Sequence, residues 1–283
     1  MRSIVITGVS TGIGHAAAKL LLARGFAVFG SVRKEADADR LKAEFGEHFT
    51  PLIFDVTDED AVKAAAREVR SALRGETLAG LVNNAGIAVA GPVLELPLAD
   101  FRHQFEVNVI GPILATQAFG PLLGADPDLE GPKGRIVMIS SLAGKFGNPL
   151  MSAYSASKHA LEGLSDALRR ELMLFGIDVL VVAPGAVKTP IWAKADEVDV
   201  SGFEASPFFP ALQRVRNYLP QMAAKGLPAE RIAEGIFTAL TAPHPRVRVT
   251  LTPDPLRNFI TNILPKRTVD RIIGKSLGLL PPT

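Results

Sequence analysis

The chain has 283 residues, 47% of them hydrophobic, enough to bury one large core without calling for a second domain. Its 31 Lys and Arg against 29 Asp and Glu leave a formal net charge of +2, which makes no general case for nucleic acid as a partner, and the absence of cysteine excludes a disulfide scaffold, a thiol nucleophile and thiolate-held metal. A soluble, cytoplasmic protein is expected: residues 3–7 read as strand rather than secretory leader, and no apolar run approaches the roughly 20 residues of a membrane-spanning helix.

The first predicted strand, Ile4-Val5-Ile6, runs into Thr7-Gly8-Val9-Ser10-Thr11-Gly12-Ile13-Gly14 and then a helix marked by Ala16, Ala17, Leu20 and Leu21. Glycines here let the backbone approach a pyrophosphate, while the helix N-terminus brings unpaired N–H groups and partial positive charge. A glycine-rich strand-to-helix turn is also an ordinary connection, so the turn alone decides nothing. Ala27-Val28-Phe29 is the second strand. Beyond it, where a carboxylate would hold a ribose 2′-hydroxyl, the chain has Ser31-Val32-Arg33-Lys34. Two cations suit a 2′-phosphate, which Arg33 can pair with through its planar fork, so NADP(H) is expected over NAD(H). The third strand, Pro51-Leu52-Ile53-Phe54, ends at Asp55-Val56, where a carboxylate can accept from an adenine amino group. Thr57 is expected to cap the following helix (Val62, Ala65, Ala66, Val69), with Asp58, Glu59 and Asp60 favouring its dipole rather than holding a metal.

Gly80-Leu81-Val82 and Arg135–Ile139 supply the next strands, and the latter ends at Ser140-Ser141. Tyr154-Ser155-Ala156-Ser157-Lys158 then opens a helix continued by Leu161, Leu164 and Leu168, so Tyr154 and Lys158 lie one turn apart on one face. A free phenol titrates near 10; a unit charge about 4 Å away, at an effective dielectric of about 20, contributes roughly 4 kcal/mol and would bring it toward working pH. A hydroxyl at the strand end, Ser140 or Ser141, can stabilise developing alkoxide charge. Asp178–Val182 is the sixth strand and Val247-Arg248-Val249 a seventh. The β-α-β-α order implies a doubly wound parallel sheet, an α/β Rossmann fold, in a single domain covering residues 1–283.

Past Thr189 the segment 190–228, rich in Pro, Phe and Ala, reads as a loop-helix insertion over the site. Its Trp192, Phe203, Phe208, Phe209 and Tyr218 either line a lipophilic pocket or form a small core of their own. A further helix follows around Ile232–Leu240. The extension 256–283 interleaves Phe259, Ile260, Ile263, Ile272 and Ile273 with Arg257, Lys266, Arg267, Arg271 and Lys275; packing on the body or a partner subunit is expected ahead of contact with a membrane surface. The five histidines show no ligand spacing, and His159, beside Lys158, is expected to be structural. Met151 and Ser152, just ahead of Tyr154, can face substrate.

Taken together, Thr7-Gly8-x-x-x-Gly12-Ile13-Gly14, Asp55, Asn83-Asn84-Ala85-Gly86, Asn108, Ser141, Tyr154-x-x-x-Lys158 and Pro184-Gly185 with Thr189 resemble the short-chain dehydrogenase/reductase family over roughly residues 1–190. The resemblance implies Tyr154 as the proton-transfer group, Lys158 binding the nicotinamide ribose and lowering the phenol pKa, and Ser141 polarising the carbonyl, with Ser140 left to packing. It implies that Asn108 holds a helix kink and a water that relays protons to Lys158. Asn83, Ala85 and Gly86 would support the central strand and line the adenosine side of the cofactor, with Asn84 an ordinary turn residue; Pro184, Gly185, Val187 and Thr189 would meet the nicotinamide amide. Gly8, Ser10, Thr11, Gly12, Ile13 and Gly14 would take the pyrophosphate, and Arg33, Lys34, Asp55 and Val56 the adenosine end. Thr11 stands where many NADP enzymes of the family place a basic residue, so the cofactor preference rests on Arg33 and Lys34. The expected reaction is hydride transfer between NADP(H) and a carbonyl or alcohol of a lipophilic small molecule, such as a retinoid, steroid, long-chain aldehyde or ketone, in a homodimer or tetramer. Two rival readings stand beside it: an NADP(H)-binding sensor with little turnover, and an epimerase or lyase with tightly held cofactor.

Overall fold

The computed structural model describes residues 1–189 and 201–281. Seven strands form one parallel sheet in the order β3-β2-β1-β4-β5-β6-β7: β1 Ser3–Ile6, β2 Ala27–Val32, β3 Phe49–Ile53, β4 Gly80–Asn83, β5 Arg135–Ile139, β6 Asp178–Pro184 and β7 Arg248–Leu251. Val5 registers with Phe29 of β2 on one side and Leu81 of β4 on the other. The inner strands β1, β4, β5 and β6 are nearly continuously apolar because both faces are covered, whereas the edge strands β3 and β7 carry Thr50, Arg248 and Thr250 and are only partly buried. Ile4 and Ile6 point into one core, with Ala16, Ala17 and Leu21 of α1 (Gly12–Ala23), Leu41 of α2 (Glu35–Phe45) and Ile232 and Ile236 of α8 (Ala229–Thr241). Val5 points into the other, with Val62 and Val69 of α3 (Glu59–Ala72), Ala115 and Phe119 of α5 (Gly111–Phe119) and Leu161 of α6 (Ser152–Glu171). The predicted doubly wound fold is thus observed, with the direction of winding reversing between β1 and β4, where such sheets open a crevice at their C-terminal ends.

Two local features depart from regular geometry. Between α4 (Leu98–Phe105) and α5 the helix widens into a π-turn, Glu106–Ile110. Pro112 has no N–H, so a regular helix would leave the Asn108 carbonyl without its donor four residues on, and the widened turn includes Asn108, where a helix kink was expected. The N-cap of α3 is Asp58, which accepts from the Ala61 N–H at 3.0 Å, not Thr57; the Thr57 hydroxyl turns back to Asp55 at 2.8 Å. Two adjacent side chains with capping oxygens compete for this role, and the carboxylate holds it.

Of the proposed insertion, residues 190–200, including Trp192, lie outside the described residues. The rest includes α7 (Phe209–Ala224), where Phe203 and Phe208 pack with Ala211 and Leu212 against Leu150 and against Leu277 and Leu279 of the tail. Those two aromatics therefore belong to a small core shared with the C-terminal extension, whereas Tyr218 is exposed. The extension itself is two helices, α9 (Pro255–Ile263) and α10 (Lys266–Leu277), broken at Leu264-Pro265. Among the described residues no helix is long and apolar enough to cross a membrane.

Candidate active site

The turn after β1 shows why its glycines are needed. Gly8 and Gly12 sit at φ 71° and 63°, and a Cβ on Gly14 would stand 2.5 Å from Asn84 Nδ2 and closer still to the Gly8 carbonyl oxygen. Thr11, ahead of α1, offers no side-chain cap, and the first turn carries no acid, so the N–H groups of the helix N-terminus face the crevice without a protein anion. That donor set and the close-packed glycine cradle fit a pyrophosphate. Thr7 Oγ1 accepts from the N–H groups of Asn84 and Ala85, both at 3.0 Å, and Asn84 Nδ2 donates to the carbonyls of Thr7 and Gly8 at 2.9 and 2.8 Å. Asn84, set aside as a turn residue, therefore clamps the phosphate turn to β4. Asn83, expected to support the central strand and line the adenosine side, donates its amide to Thr116 Oγ1 and to Met138 Sδ of β5, at 3.2 and 3.3 Å. Alternation along a strand sends these two neighbours to opposite faces.

At the far end of the crevice Arg33, 72% exposed, stands 3.9 Å from Asp55, while Lys34 precedes α2 and is exposed. Burial works to raise the Asp55 carboxyl, but the backbone and hydroxyl bonds from Thr57 and the nearby Arg33 outweigh it and hold it below its usual range. Val56 is buried against Gly111. Two contacts here were not anticipated. Arg40 of α2 donates to the Ser10 carbonyl at 2.8 Å, and Ser31 Oγ accepts from the Gly8 N–H at 2.9 Å, tying the turn to β2.

The structure gathers Ile13, Gly86, Ser141, Tyr154, Lys158, Pro184, Gly185, Val187 and Thr189 around one cavity of about 90 Å³, together with Asn84, Ile87, Ile139 and Ser140. Tyr154 and Lys158 are both buried, and the Lys158 ammonium lies 5.9 Å from the Tyr154 ring centre and donates to the Ile139 carbonyl at 2.8 Å. Burial pushes the Tyr154 phenol up, and the hydrogen bond with Ser141 only partly offsets this, so the direction is opposite to the one the helical spacing suggested. The spacing supplied a nearby charge but not the desolvation that goes with it. The same burial lowers Lys158 to about 8, with Glu162, one turn further along α6, pulling weakly the other way. Ser141 Oγ also accepts from the Ala143 N–H at 3.1 Å, which fixes the hydroxyl at the start of a 3₁₀ turn, Leu142–Gly144.

Behind these groups lies a network that sequence reasoning missed. The Ser140 hydroxyl donates to Glu162 at 2.7 Å, and Arg248 Nε on β7 donates to both Glu162 oxygens at 3.1 and 2.8 Å. The Glu162 side chain is 11% exposed, so Ser140 serves an ion pair rather than plain packing. Asn108 is buried and uses its amide on the backbone of Ile87, accepting at 2.9 Å and donating at 3.0 Å, and also donates to Ser157 at 3.1 Å. One turn earlier Gln104 holds the same segment, accepting from Val89 N–H at 2.7 Å. Met151 packs against Tyr154 and Ala143, and the His159 ring pairs with the Ser155 carbonyl at 2.8 Å.

The sequence profile of short chain dehydrogenases matches residues 2–199. Over 281 residues and 99% of each chain, the protein is 38% identical to an NADPH-dependent 3-dehydrocapnine reductase of Ornithobacterium rhinotracheale. It is 31% identical to human retinol dehydrogenase 5 over 290 residues, 95% of this chain and 87% of that one. A short-chain dehydrogenase of Streptomyces avermitilis shares the fold with a TM-score of 0.78 at 29% identity, covering 97% of this chain and 96% of its own. A profile match over most of the chain, with relatives of this identity along nearly its whole length, makes the protein a member of the short chain dehydrogenase family of oxidoreductases.

Proposed function

We propose that the enzyme is an NADPH-dependent carbonyl reductase acting on a lipophilic ketone or aldehyde, with Tyr154 as the proton donor. The observation that carries this reading is the convergence of the Tyr154 and Ser141 hydroxyls and the Lys158 ammonium on one cavity below an uncapped helix N-terminus. A substrate oxygen seated there accepts from Ser141, whose hydroxyl is held by Ala143, and takes its proton from Tyr154. The Lys158 charge stabilises the phenolate left behind and pairs with the cofactor's ribose. When bound, NADPH supplies the hydride. Gly8, Ser10, Thr11, Gly12, Ile13 and Gly14 hold the pyrophosphate, and Arg33 and Lys34, with no carboxylate at the end of β2, receive a 2′-phosphate. Asp55 and Val56 flank the adenine, and Pro184, Gly185, Val187 and Thr189 the nicotinamide. Asn108 positions the Ile87 backbone beside Lys158. The names of two relatives, a 3-dehydrocapnine reductase and a retinol dehydrogenase, support a carbonyl or alcohol on a lipophilic body. Assembly as a homodimer or tetramer belongs to the same reading.

Fluorescence titration of wild type and Arg33→Ala with NADPH and NADH tests the cofactor assignment. Wild type should prefer NADPH and the variant should lose that preference; equal affinities in wild type would overturn it. Tyr154→Phe should abolish net NADPH consumption with ketones while leaving cofactor affinity intact, which also separates a reductase from a sensor or an epimerase.

A further inference from the structure

Helix α9 is turned inside out. Leu256, Phe259, Ile260 and Ile263 recur at i, i+3, i+4 and i+7, a single stripe, and they are 67%, 61%, 42% and 63% exposed, whereas the polar Asn258 and Thr261 are half-buried. An amphipathic helix on a globular body normally turns that stripe to the core. Four large apolar side chains in one row are more than the scattered exposure of an ordinary surface. The next helix packs in the usual sense: Val269 and Gly274 of α10 are buried, and Arg267, Arg271 and Lys275 face outward beside an exposed Ile272.

Charge indicates what covers the stripe. From residue 255 onward the chain holds five cations and one acid, Asp270, a local charge of +4 against +2 for the whole, so the remainder of the molecule is net negative at −2. A two-fold dimer through this face would set these cations against their own copies, because isologous pairing brings the same patch of each subunit together. An anionic lipid surface offers both an apolar boundary layer for the stripe and negative headgroups for its basic neighbours. We propose that α9 and the basic face of α10 dock the enzyme on anionic bilayers. The face also adjoins the site's own surroundings: α10 and Leu264 close a groove of about 540 Å³ against Phe146 and Pro149, in the segment just downstream of Ser141. This proposal does not depend on the substrate or cofactor assigned above.

The full chain would be sedimented with vesicles of phosphatidylcholine alone and of phosphatidylcholine and phosphatidylglycerol in equal parts. Binding to the anionic vesicles is expected, about tenfold weaker when salt is raised from 0.1 M to 0.5 M, with little binding to the neutral ones. Phe259→Glu with Ile263→Glu, and separately Arg271→Glu with Lys275→Glu, should each lower the anionic binding by about tenfold or more. The circular dichroism spectrum should be unchanged in both, so that lost binding is not lost folding. The proposal is overturned if wild type does not sediment with anionic vesicles, or if both variants bind as wild type does. It is equally overturned if sedimentation velocity shows a wild-type dimer that the Phe259→Glu, Ile263→Glu variant loses, since the stripe is then covered by a second copy.

Discussion

Replacing Lys158 by Met should make the free enzyme more stable while destroying its activity. Burial lowers the Lys158 ammonium from 10.5 to about 8, and that gap corresponds to about 3 kcal/mol by which the fold is destabilised at pH 7 in keeping this charge away from water. Met keeps a side chain of similar length without the charge, but leaves the Ile139 carbonyl without the donor it has at 2.8 Å, a loss of about 1 kcal/mol. The net expectation at pH 7 is a gain of about 2 kcal/mol. The sign with pH follows from proton counting: between about 8 and 10.5 the unfolded chain holds a proton at this position that the folded chain has lost, so wild-type stability rises with pH in that window. The Met variant has no such gain, so its advantage should vanish within that window and reverse to about 1 kcal/mol in favour of wild type above pH 10.5, where only the lost hydrogen bond remains. Urea unfolding of both proteins without cofactor, at pH 7 and at matched alkaline pH, measures the difference directly, and other titrating groups cancel in the comparison. A variant less stable than wild type at pH 7, or a difference that does not change with pH, would refute the burial argument for Lys158.

Because the site needs the Lys158 charge and a protonated, burial-raised phenol, kcat/KM for carbonyl reduction should be level through neutrality and fall with an inflection near pH 8, and a profile still level at pH 9.5 would contradict this. Gly14→Ala drives a methyl into the Gly8 carbonyl and Asn84, so NADPH affinity should drop by about a hundredfold in titration while circular dichroism remains that of wild type. Arg248→Ala removes the main partner of a side chain only 11% exposed, Glu162, and should lower stability by about 2 kcal/mol in urea unfolding.

What the sequence made legible is what depends on short runs and backbone conformation. The inner strand runs were readable because a buried parallel strand is nearly continuously apolar, the edge runs near Ile53 and Val249 from their β-branched residues, and the glycine turn because Gly8, Gly12 and Gly14 answer to positive φ and close approach. Tyr154 and Lys158 could be paired because helical spacing fixes them on one face. The interactions between distant residues were not readable. Arg40 reaches Ser10 across 30 positions and Arg248 reaches Glu162 across 86, and no local pattern distinguishes these arginines from solvated ones. Asn83 and Asn84 differ only in which face of the strand end they occupy, a matter of register that composition does not carry. In α9 the periodicity specified a helix and its apolar stripe correctly, but which side of that helix meets the body depends on the surface it lands on.

The bond from Arg248 to Glu162 also bears on when the enzyme can first work during synthesis. The fold up to β6 holds the phosphate turn, the serine, the tyrosine and the lysine, yet the guanidinium that anchors the carboxylate behind them arrives on the last strand. Until residue 248 has emerged from the ribosome and β7 has added to the sheet edge beside β6, a nascent chain carries Glu162 without that partner behind Ser140. Maturation of the site is thereby tied to completion of the sheet.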